Sequence, residues 1–203
     1  MKISSLVIAA AMISAVPAFA QQAGPTTDPA KVEGGDFVMD RDHARVIFSY
    51  THLGFSQSYG LFTESGAKLH FDPKAPANSS LEVTVDLNGI DTTVPKLDEH
   101  LKSAAFFDVA KYPTATFKST KVVVTGPTTG TITGTLTLHG VTKPVTLQAR
   151  FNGGGVSPIT KAYVVGFNAV GQIKRSDFGI SAYVPAVSDE VTLNISAEFD
   201  RKP

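Results

Sequence analysis

The strongest constraint on the fold of this chain is the strict alternation of apolar or glycine residues with threonines between Thr131 and Leu138. A period of two places one side-chain type on each face, which is typical of a β-strand with one buried face and not of a helix. The alternation stops at 139–143, where Gly140 can adopt a positive φ, and resumes after Pro144. These features predict a β-hairpin with Pro144 at the opening of its second strand. Because an isolated hairpin is only marginally stable, further strands have to cover its apolar face.

Similar segments along the chain predict about eight strands in all. We place them at residues 40–53, 61–71, 81–87, 114–124, 131–138, 145–151, 163–173 and 191–199. The second segment departs from a period of two, so we expect a β-bulge around 64–66. The glycine-rich residues 152–158 are predicted to form a loop. This number of strands, joined mostly by short turns, is typical of an antiparallel β-barrel or β-sandwich.

Residues 88–113 lack this alternation and predict a different structure. Residues 95–108 are compatible with a helix, and Pro95 suits the first turn of one. We therefore predict a short helical segment that packs as a cap on the β-structure. It contains the densest acid–histidine cluster of the chain, Asp98-Glu99-His100. Because this cluster lacks a defined fourth metal ligand, a solvated helical turn explains it better than a metal site.

The first 20 residues have the features of a signal peptide. Lys2 precedes an apolar run, and Ala18 and Ala20 form the small-x-small pattern that signal peptidase cleaves after. We predict a signal peptide over 1–20, a flexible lead-in over 21–35 and one domain over 36–203. The chain contains no cysteine, which excludes disulfides and thiolate metal sites. The mature protein is therefore expected to be exported and to fold without oxidation.

Charge and motif content argue against several classes of function. Acidic and basic residues balance at 18 each, and no basic patch favours nucleic acid or a stable attachment to membranes. Because no nucleophile, nucleotide-binding or paired metal-ligand motif occurs, we predict no catalytic residues, no metal and no cofactor. His52 ends an apolar stripe and is predicted to lie near a barrel mouth. Arg175 and Asp177 are two residues apart, a spacing that would let them pair in a strand.

The inward positions of the strands mix small and large residues, which leaves two interpretations of the interior. Gly134, Ala169 and Gly171 share stripes with large residues such as Phe48 and Phe167. Small residues leave space along the axis of an eight-stranded barrel, where a ligand can bind. Alternatively, each small residue faces a large one and the core is complete. The pattern alone favours the complete core.

Four separated motifs, taken together, resemble the YceI-like family. They are D-R-D-H-A-R-V-I-F-S-Y-T-H-L-G at 40–54, H-L-K-S-A-A-F-F-D-V-A-K-Y-P-T-A-T-F-K-S-T at 100–120, G-T-L-T-L-H-G-V-T-K-P-V at 134–145 and R-S-D-F-G-I at 175–180. The motifs occur in the order of the family, and the resemblance covers essentially the whole mature chain. Ala44 departs from the family pattern, which usually has serine at that position.

The resemblance implies an all-β fold, an extended lipocalin-like antiparallel barrel of about eight strands with a helical segment beside it, located in the bacterial periplasm. It implies that the barrel is hollow and that its apolar pore binds a polyisoprenoid or a similar long-chain amphiphile. Examples are an isoprenoid quinone, a prenyl phosphate and a fatty amide. The residues expected to contact this ligand are Val46, Phe48, Tyr50, His52, Phe62, Phe117, Leu136, Leu138, Phe167, Ala169, Arg175 and Phe199.

The resulting prediction is a periplasmic, non-enzymatic carrier or sequestering protein for such a lipid, with His52 or Arg175 near its head group. One alternative is an enzyme that acts on the lipid inside the barrel, with Tyr50, His52 or Arg175 as acid–base groups. Another is a stress-related interaction protein whose barrel is filled and whose outer surface carries the function. The family resemblance also allows a homodimer.

Overall fold

The computed structural model describes residues 24–202, so the predicted signal peptide lies outside the described residues. One α-helix, α1 (Pro95–Lys102), accompanies ten strands. The strands are β1 (Gly35–His52), β2 (Ser56–Phe62), β3 (Ser65–Phe71), β4 (Ser80–Asp86), β5 (Ile90–Asp91), β6 (Thr114–Val124), β7 (Thr129–Leu138), β8 (Val141–Val156), β9 (Tyr163–Lys174) and β10 (Glu190–Arg201). Short 3-10 helices occupy Pro29–Lys31, Pro76–Asn78, Leu87–Gly89 and Arg175–Phe178.

The strands close into one antiparallel barrel because β1 pairs along both of its edges. One edge pairs with β10, from Phe37 opposite Arg201 to Ser49 opposite Thr192. The other edge pairs with β3 near the start of β1 and with β2 near its end. β2 and β3 thus act as one strand that is interrupted at 63–64, beside the predicted bulge. The ladder continues through β4, β6, β7, β8, β9 and β10, which confirms the predicted eight-stranded barrel.

The hairpin between β7 and β8 turns in two residues. His139 and Gly140 have φ angles of 52° and 74°, and Leu138 pairs with Val141 across them. β8 therefore begins three residues earlier than predicted, and Pro144 lies inside the strand rather than at its opening. Proline is tolerated there because the ladder between β8 and β9 begins only at Leu147, so this stretch of β8 is paired with β7 alone.

The prediction of a glycine-rich loop at 152–158 is wrong, because β8 continues to Val156 and pairs with β9. Glycine is needed here for close packing. A Cβ at Gly154 would lie 2.7 Å from Cγ1 of Val32 in the segment that precedes β1. Gly154 and Thr26 also exchange backbone hydrogen bonds of 2.9 and 3.0 Å. The glycines therefore mark a strand on which another segment of the chain lies, as glycine in a strand often does.

Residues 24–34, the described part of the predicted lead-in, make specific contacts with the barrel. Asp28 caps the 3-10 helix Pro29–Lys31 by accepting a hydrogen bond from the Ala30 amide. The Glu33 amide donates to the Tyr163 hydroxyl at 2.8 Å, and Val32 is buried. The start of the described chain is thereby attached to one end of the barrel.

The predicted helical segment contains one short helix followed by turns. α1 begins with Pro95 in its first turn, as expected, but ends at Lys102 instead of continuing to 108. Asp98 is not simply solvated, since it accepts hydrogen bonds from the amide and hydroxyl of Thr92 at 2.8 and 2.6 Å. These bonds fix the segment that leads into the helix against its first turn. No helix among residues 24–202 is long and apolar enough to cross a membrane.

The buried apolar residues form two clusters rather than one central core. One cluster lies where β1 ends and includes Leu101 and Phe106 from the α1 region, together with Phe178 and Ile180. We call this the upper end. The other cluster lies where β1 begins and is centred on Phe37. We call this the lower end. The side chains of the two clusters surround open space along the barrel, which is the candidate functional site.

Candidate functional site: the barrel lumen

The lumen contains two apolar cavities that lie along the barrel. The upper cavity has a volume of about 410 Å³ and the lower cavity a volume of about 260 Å³. Four residues line both cavities and form a belt between them: Val46, Val85, Leu136 and Leu193. The complete core that the residue pattern alone favours is therefore wrong, and the hollow barrel implied by the family resemblance describes the interior correctly.

All twelve residues predicted to contact a ligand line one of these cavities. Phe48, Tyr50, His52, Phe62, Leu138 and Arg175 line the upper cavity, Phe117, Phe167, Ala169 and Phe199 line the lower one, and Val46 and Leu136 line both. Eleven of the twelve lie in strands, and the alternation of the strands was enough to find these inward positions, because successive side chains of a strand point to opposite faces. Arg175 lies in a 3-10 turn and was not found by that pattern. Ligand contact by these residues stays a prediction.

The lumen is open because large inward side chains lie against glycines of neighbouring strands. Gly60 pairs with Phe48 across β1 and β2, and a Cβ at Gly60 would lie 2.3 Å from Cζ of the Phe48 ring. A Cβ at Gly134 would lie 2.4 Å from Cζ of Phe117 in the same way. Small and large residues are thus matched sideways along the wall, not across the axis. This arrangement buries the rings and leaves the centre of the barrel empty.

Four phenylalanines pack against one another at the lower end of the lumen. The centroid of the Phe167 ring lies 5.5 Å from that of Phe71, 5.4 Å from that of Phe151 and 6.2 Å from that of Phe199. Most of these pairs meet edge to face, a favourable geometry for aromatic rings. Phe167 and Phe199 therefore contribute to the stability of this end as well as lining the lower cavity.

The upper cavity includes residues that the strand pattern did not identify. They come from α1 and the turns after it, and they are Leu97, His100, Leu101, Phe106 and Phe107. The ring centroid of His100 lies 4.9 Å from that of Phe106, so this histidine packs in the cap instead of joining a metal cluster. A usable signal was present, because Leu97 and Leu101 are four residues apart and share one helix face.

Comparison with known proteins assigns this chain to a family. The model of the YceI-like domain matches residues 37–199. The chain belongs to the YceI-like family. A UPF0312 protein of Azotobacter vinelandii is 43% identical over 169 residues, which cover 82% of this chain and 88% of that protein. The resemblance inferred from the four motifs is confirmed.

Solved YceI-like structures share the fold. The YceI protein of Campylobacter jejuni superimposes with a TM-score of 0.68 at 35% identity, covering 75% of this chain and 90% of that chain. A polyisoprenoid-binding domain of Saccharophagus degradans, implicated in plant cell wall breakdown, gives a TM-score of 0.61 at 14% identity. It covers 84% of this chain and 100% of that domain, and at this identity it supports the fold alone.

Arg175, which begins the last YceI-like motif, holds the loop at the upper end of the barrel. Only 7% of its surface is exposed. Its guanidinium donates four hydrogen bonds of 2.8–2.9 Å to backbone carbonyls of the loop, those of Ile180, Ala182, Val187 and Ser188. Burial lowers the pKa of Arg175. This loop, residues 179–188, supplies Ile180, Tyr183 and Val187 to the wall of the upper cavity.

The predicted pairing of Arg175 with Asp177 is wrong. Residues 175–178 form a 3-10 turn, so the two side chains do not lie on one face of a strand. The carboxylate that binds this turn is that of Asp189, which accepts hydrogen bonds from the amide and hydroxyl of Ser176 at 2.8 and 2.7 Å. These bonds lower the pKa of Asp189. Arg175 thus acts chiefly as a structural donor to the loop.

Outside the lumen, Asp40, His43 and Glu198 place one potential metal ligand each within 4.8 Å of one another. They lie near the irregular pairing of β1 with β10, where the register shifts between Asp40 and Arg45. Nδ1 of His43 is 2.7 Å from Oδ2 of Asp40, so the two form an ion pair when the histidine is protonated. The hydrogen bond lowers the pKa of Asp40 and raises the pKa of His43. This pair accounts for the cluster without a metal.

We expect Gly60→Ala to push the Phe48 ring off the wall and into the upper cavity. The three atoms nearest to the new methyl group all belong to that ring, at 2.3–3.1 Å, so we expect the ring to move while the backbone stays. Xenon binding in pressurised crystals measures the open volume, since xenon enters dry apolar cavities. Xenon occupancy of the upper cavity should fall. Gly66→Ala on β3 is the control, because its Cβ would meet only an Arg41 side-chain atom at 3.7 Å. Equal occupancy in both variants would contradict this account of the lumen.

We expect Arg175→Lys to destabilise the protein by about 2–4 kcal/mol, because a lysine cannot satisfy the four buried carbonyls. Urea denaturation gives the free energy of unfolding, and limited proteolysis reports whether the 179–188 loop opens. Arg150→Lys, at an exposed position on β8, is the control and should change neither quantity. If the loop stays resistant to protease in Arg175→Lys, the guanidinium does not hold it.

The Asp40–His43 pair predicts a pH window of added stability. The raised pKa of His43 means that its contribution is complete below pH 6.5 and is lost as the pH rises through the folded pKa. The lowered pKa of Asp40 means that its contribution is complete above pH 3.8 and is lost as the pH falls through the folded pKa. Thermal unfolding should show the largest Tm difference between wild type and His43→Ala near pH 5. A difference that is the same at pH 5 and pH 8.5 would refute the pairing.

Proposed function

We propose that this YceI-like protein is a non-enzymatic binding protein that carries or sequesters one long-chain isoprenoid or similar amphiphilic lipid in its lumen. The observation that carries the proposal is the pair of apolar cavities that share the belt residues, with packed phenylalanines in the wall of the lower cavity. A flexible chain needs a dry and elongated space of this kind. The fold is shared with a polyisoprenoid-binding domain of Saccharophagus degradans, so a barrel of this architecture is able to hold a ligand of this class.

The energetics favour a long apolar tail as the bound group. Each buried CH₂ contributes about 0.8 kcal/mol. A prenyl chain therefore offers more gross free energy than non-covalent complexes realise, and ordering the chain offsets much of it. A lumen lined by aliphatic and aromatic side chains can select for tail length without recognising any chemical group. Selection of the head group then has to occur in the upper cavity, where Tyr50, His52 and Arg175 lie.

The polar groups of the lumen favour a neutral head group over a phosphate. Arg175 is the one lysine or arginine side chain that lines either cavity among residues 24–202. Four of its N–H donors are already engaged by carbonyls of the loop. A phosphate is usually held by several free donors or by a bidentate arginine. The one remaining N–H of Arg175 cannot bind a phosphate in either way. A quinone oxygen or an amide carbonyl needs only a single donor.

The proposal places the protein in the periplasm, after removal of the signal peptide predicted over residues 1–20. A lipid that is insoluble in water needs a protein carrier or a protein sink in an aqueous compartment between membranes. The proposal assigns no catalytic residue. Formation of a homodimer is a separate prediction from the family and is not required for the lumen to bind a lipid.

The test blocks the belt without altering the outer surface. In Leu136→Trp the indole projects from the belt that lines both cavities, whereas Thr135→Trp places the same group on the exposed outer face of β7. Protein purified from bacterial cells is extracted with organic solvent, and the extract is analysed by mass spectrometry. Wild type and Thr135→Trp should contain a long-chain lipid. If the indole keeps even two CH₂ groups of the lipid out of the lumen, the lipid content of Leu136→Trp should fall by about tenfold.

Circular dichroism confirms that both variants are folded before their lipid contents are compared. An unchanged lipid content in folded Leu136→Trp would overturn the binding site. An extract in which the wild-type protein carries no lipid, even after incubation with a long-chain prenyl alcohol, would overturn the function. Chemical conversion of a bound lipid during incubation would instead support the enzyme alternative.

A further inference from the structure

Three large apolar side chains project into solvent around the mouth of the upper cavity. Phe55 is 89% exposed, Tyr183 is 62% exposed and Leu53 is 49% exposed. Leu53 and Phe55 lie in the turn between β1 and β2, and Tyr183 lies in the 179–188 loop. The two segments are joined, since the Leu53 amide donates to the Ala186 carbonyl at 2.9 Å. We call Leu53, Phe55 and Tyr183 the rim surface.

The rim surface is continuous with the lumen. Tyr183 lines the upper cavity together with His52 and Val187, which form an antiparallel β-bridge with each other. The Tyr183 ring also lies 6.1 Å from the rings of both His100 and Phe106 in the cap. An apolar molecule that leaves the upper cavity at this end therefore passes directly onto the rim surface.

The turn presents Phe55 in a fixed orientation. Leu53 and Gly54 have φ angles of 53° and 75°, which makes the turn tight. The Phe55 amide donates to the His52 carbonyl at 3.0 Å, which closes the turn and directs the ring away from the barrel. Exposing an aromatic ring to water in a rigid turn is unfavourable unless the ring contacts another apolar phase.

The segments that carry the rim surface contain no formally charged side chain. Residues 46–63 and 178–188 have no Asp, Glu, Lys or Arg, although charged residues make up 18% of the chain. Charged groups are costly to move into the apolar part of a bilayer, whereas tyrosine and phenylalanine are favourable at its interface. The composition of the rim therefore matches a lipid surface, while protein interfaces generally have a polar and charged rim.

We propose that the rim surface docks transiently on a lipid bilayer, with Phe55 inserted among the acyl chains, so that lipid passes between the membrane and the upper cavity. This inference rests on the proposed function, because the membrane is the source or the destination of the bound lipid. Phe55 and Tyr183 are positioning residues for this transfer. The contact is peripheral and reversible, since it involves a few side chains of two turns.

The test compares Phe55→Ser with Ile159→Ser. Ile159 is 88% exposed in the turn between β8 and β9, at the lower end of the barrel. It is a matched control because it is as exposed as Phe55 but lies far from the rim surface. Sedimentation with vesicles of phosphatidylethanolamine and phosphatidylglycerol measures docking. Transfer of farnesol labelled with a nitrobenzoxadiazole fluorophore from vesicles to protein measures delivery. Phe55→Ser should weaken vesicle binding and slow transfer by about tenfold, the effect expected for losing one partly inserted ring.

Ile159→Ser should bind vesicles and take up lipid as the wild type does. The lipid content of purified Phe55→Ser should be unchanged. Equal vesicle binding by wild type and Phe55→Ser would overturn the docking surface, as would an equal loss in Ile159→Ser. If Phe55→Ser converts a dimer into a monomer in the absence of vesicles, the rim binds a second copy of the chain and the proposal fails. An empty wild-type lumen together with Phe55-dependent vesicle binding would instead overturn the proposed function alone.

Discussion

The sideways packing of large side chains on glycines is the interaction that keeps this barrel hollow. Phe48 lies on Gly60 and Phe117 lies on Gly134, each on a neighbouring strand of the wall. In a filled barrel the same residues would meet across the axis and complete one central core. Here the two rings are buried within the wall and belong to the upper buried cluster, so two clusters in the wall stabilise the fold in place of one central core. The open lumen and the divided core are thus two results of one packing arrangement.

The two ends of the barrel are stabilised in different ways. The lower end is stabilised by aromatic packing around Phe167 and by the segment attached at Val32 and Gly154. The upper end depends on polar bonds instead, because Arg175 holds the 179–188 loop by its carbonyls. A cap held by hydrogen bonds to a loop is easier to rearrange than interlocked aromatic rings. This difference is consistent with entry and exit of a ligand at the upper end.

The strands and the inward residues could be predicted from the sequence because a period of two defines which side chains share a face. Periodicity does not show how far a side chain reaches toward the axis, so it could not distinguish a hollow lumen from a complete core. Only the family resemblance made that distinction. Gly153, Gly154 and Gly155 were misinterpreted because composition alone cannot separate a loop from a strand that another segment crosses closely. The cap residues were missed because only Leu97 and Leu101 follow a helical period, over a single turn, and the bonds of Arg175 depend on a loop with no repeating pattern.

The attachment of residues 24–34 at the lower end fixes the direction in which the chain enters the barrel. Thr26 pairs with Gly154 and Glu33 binds Tyr163, so Gly24, the first described residue, lies on the side opposite the mouth. A tag, support or fusion partner joined ahead of this segment would therefore hold the molecule by its base. The mouth of the upper cavity and the uncharged turns beside it would then face the surrounding solution.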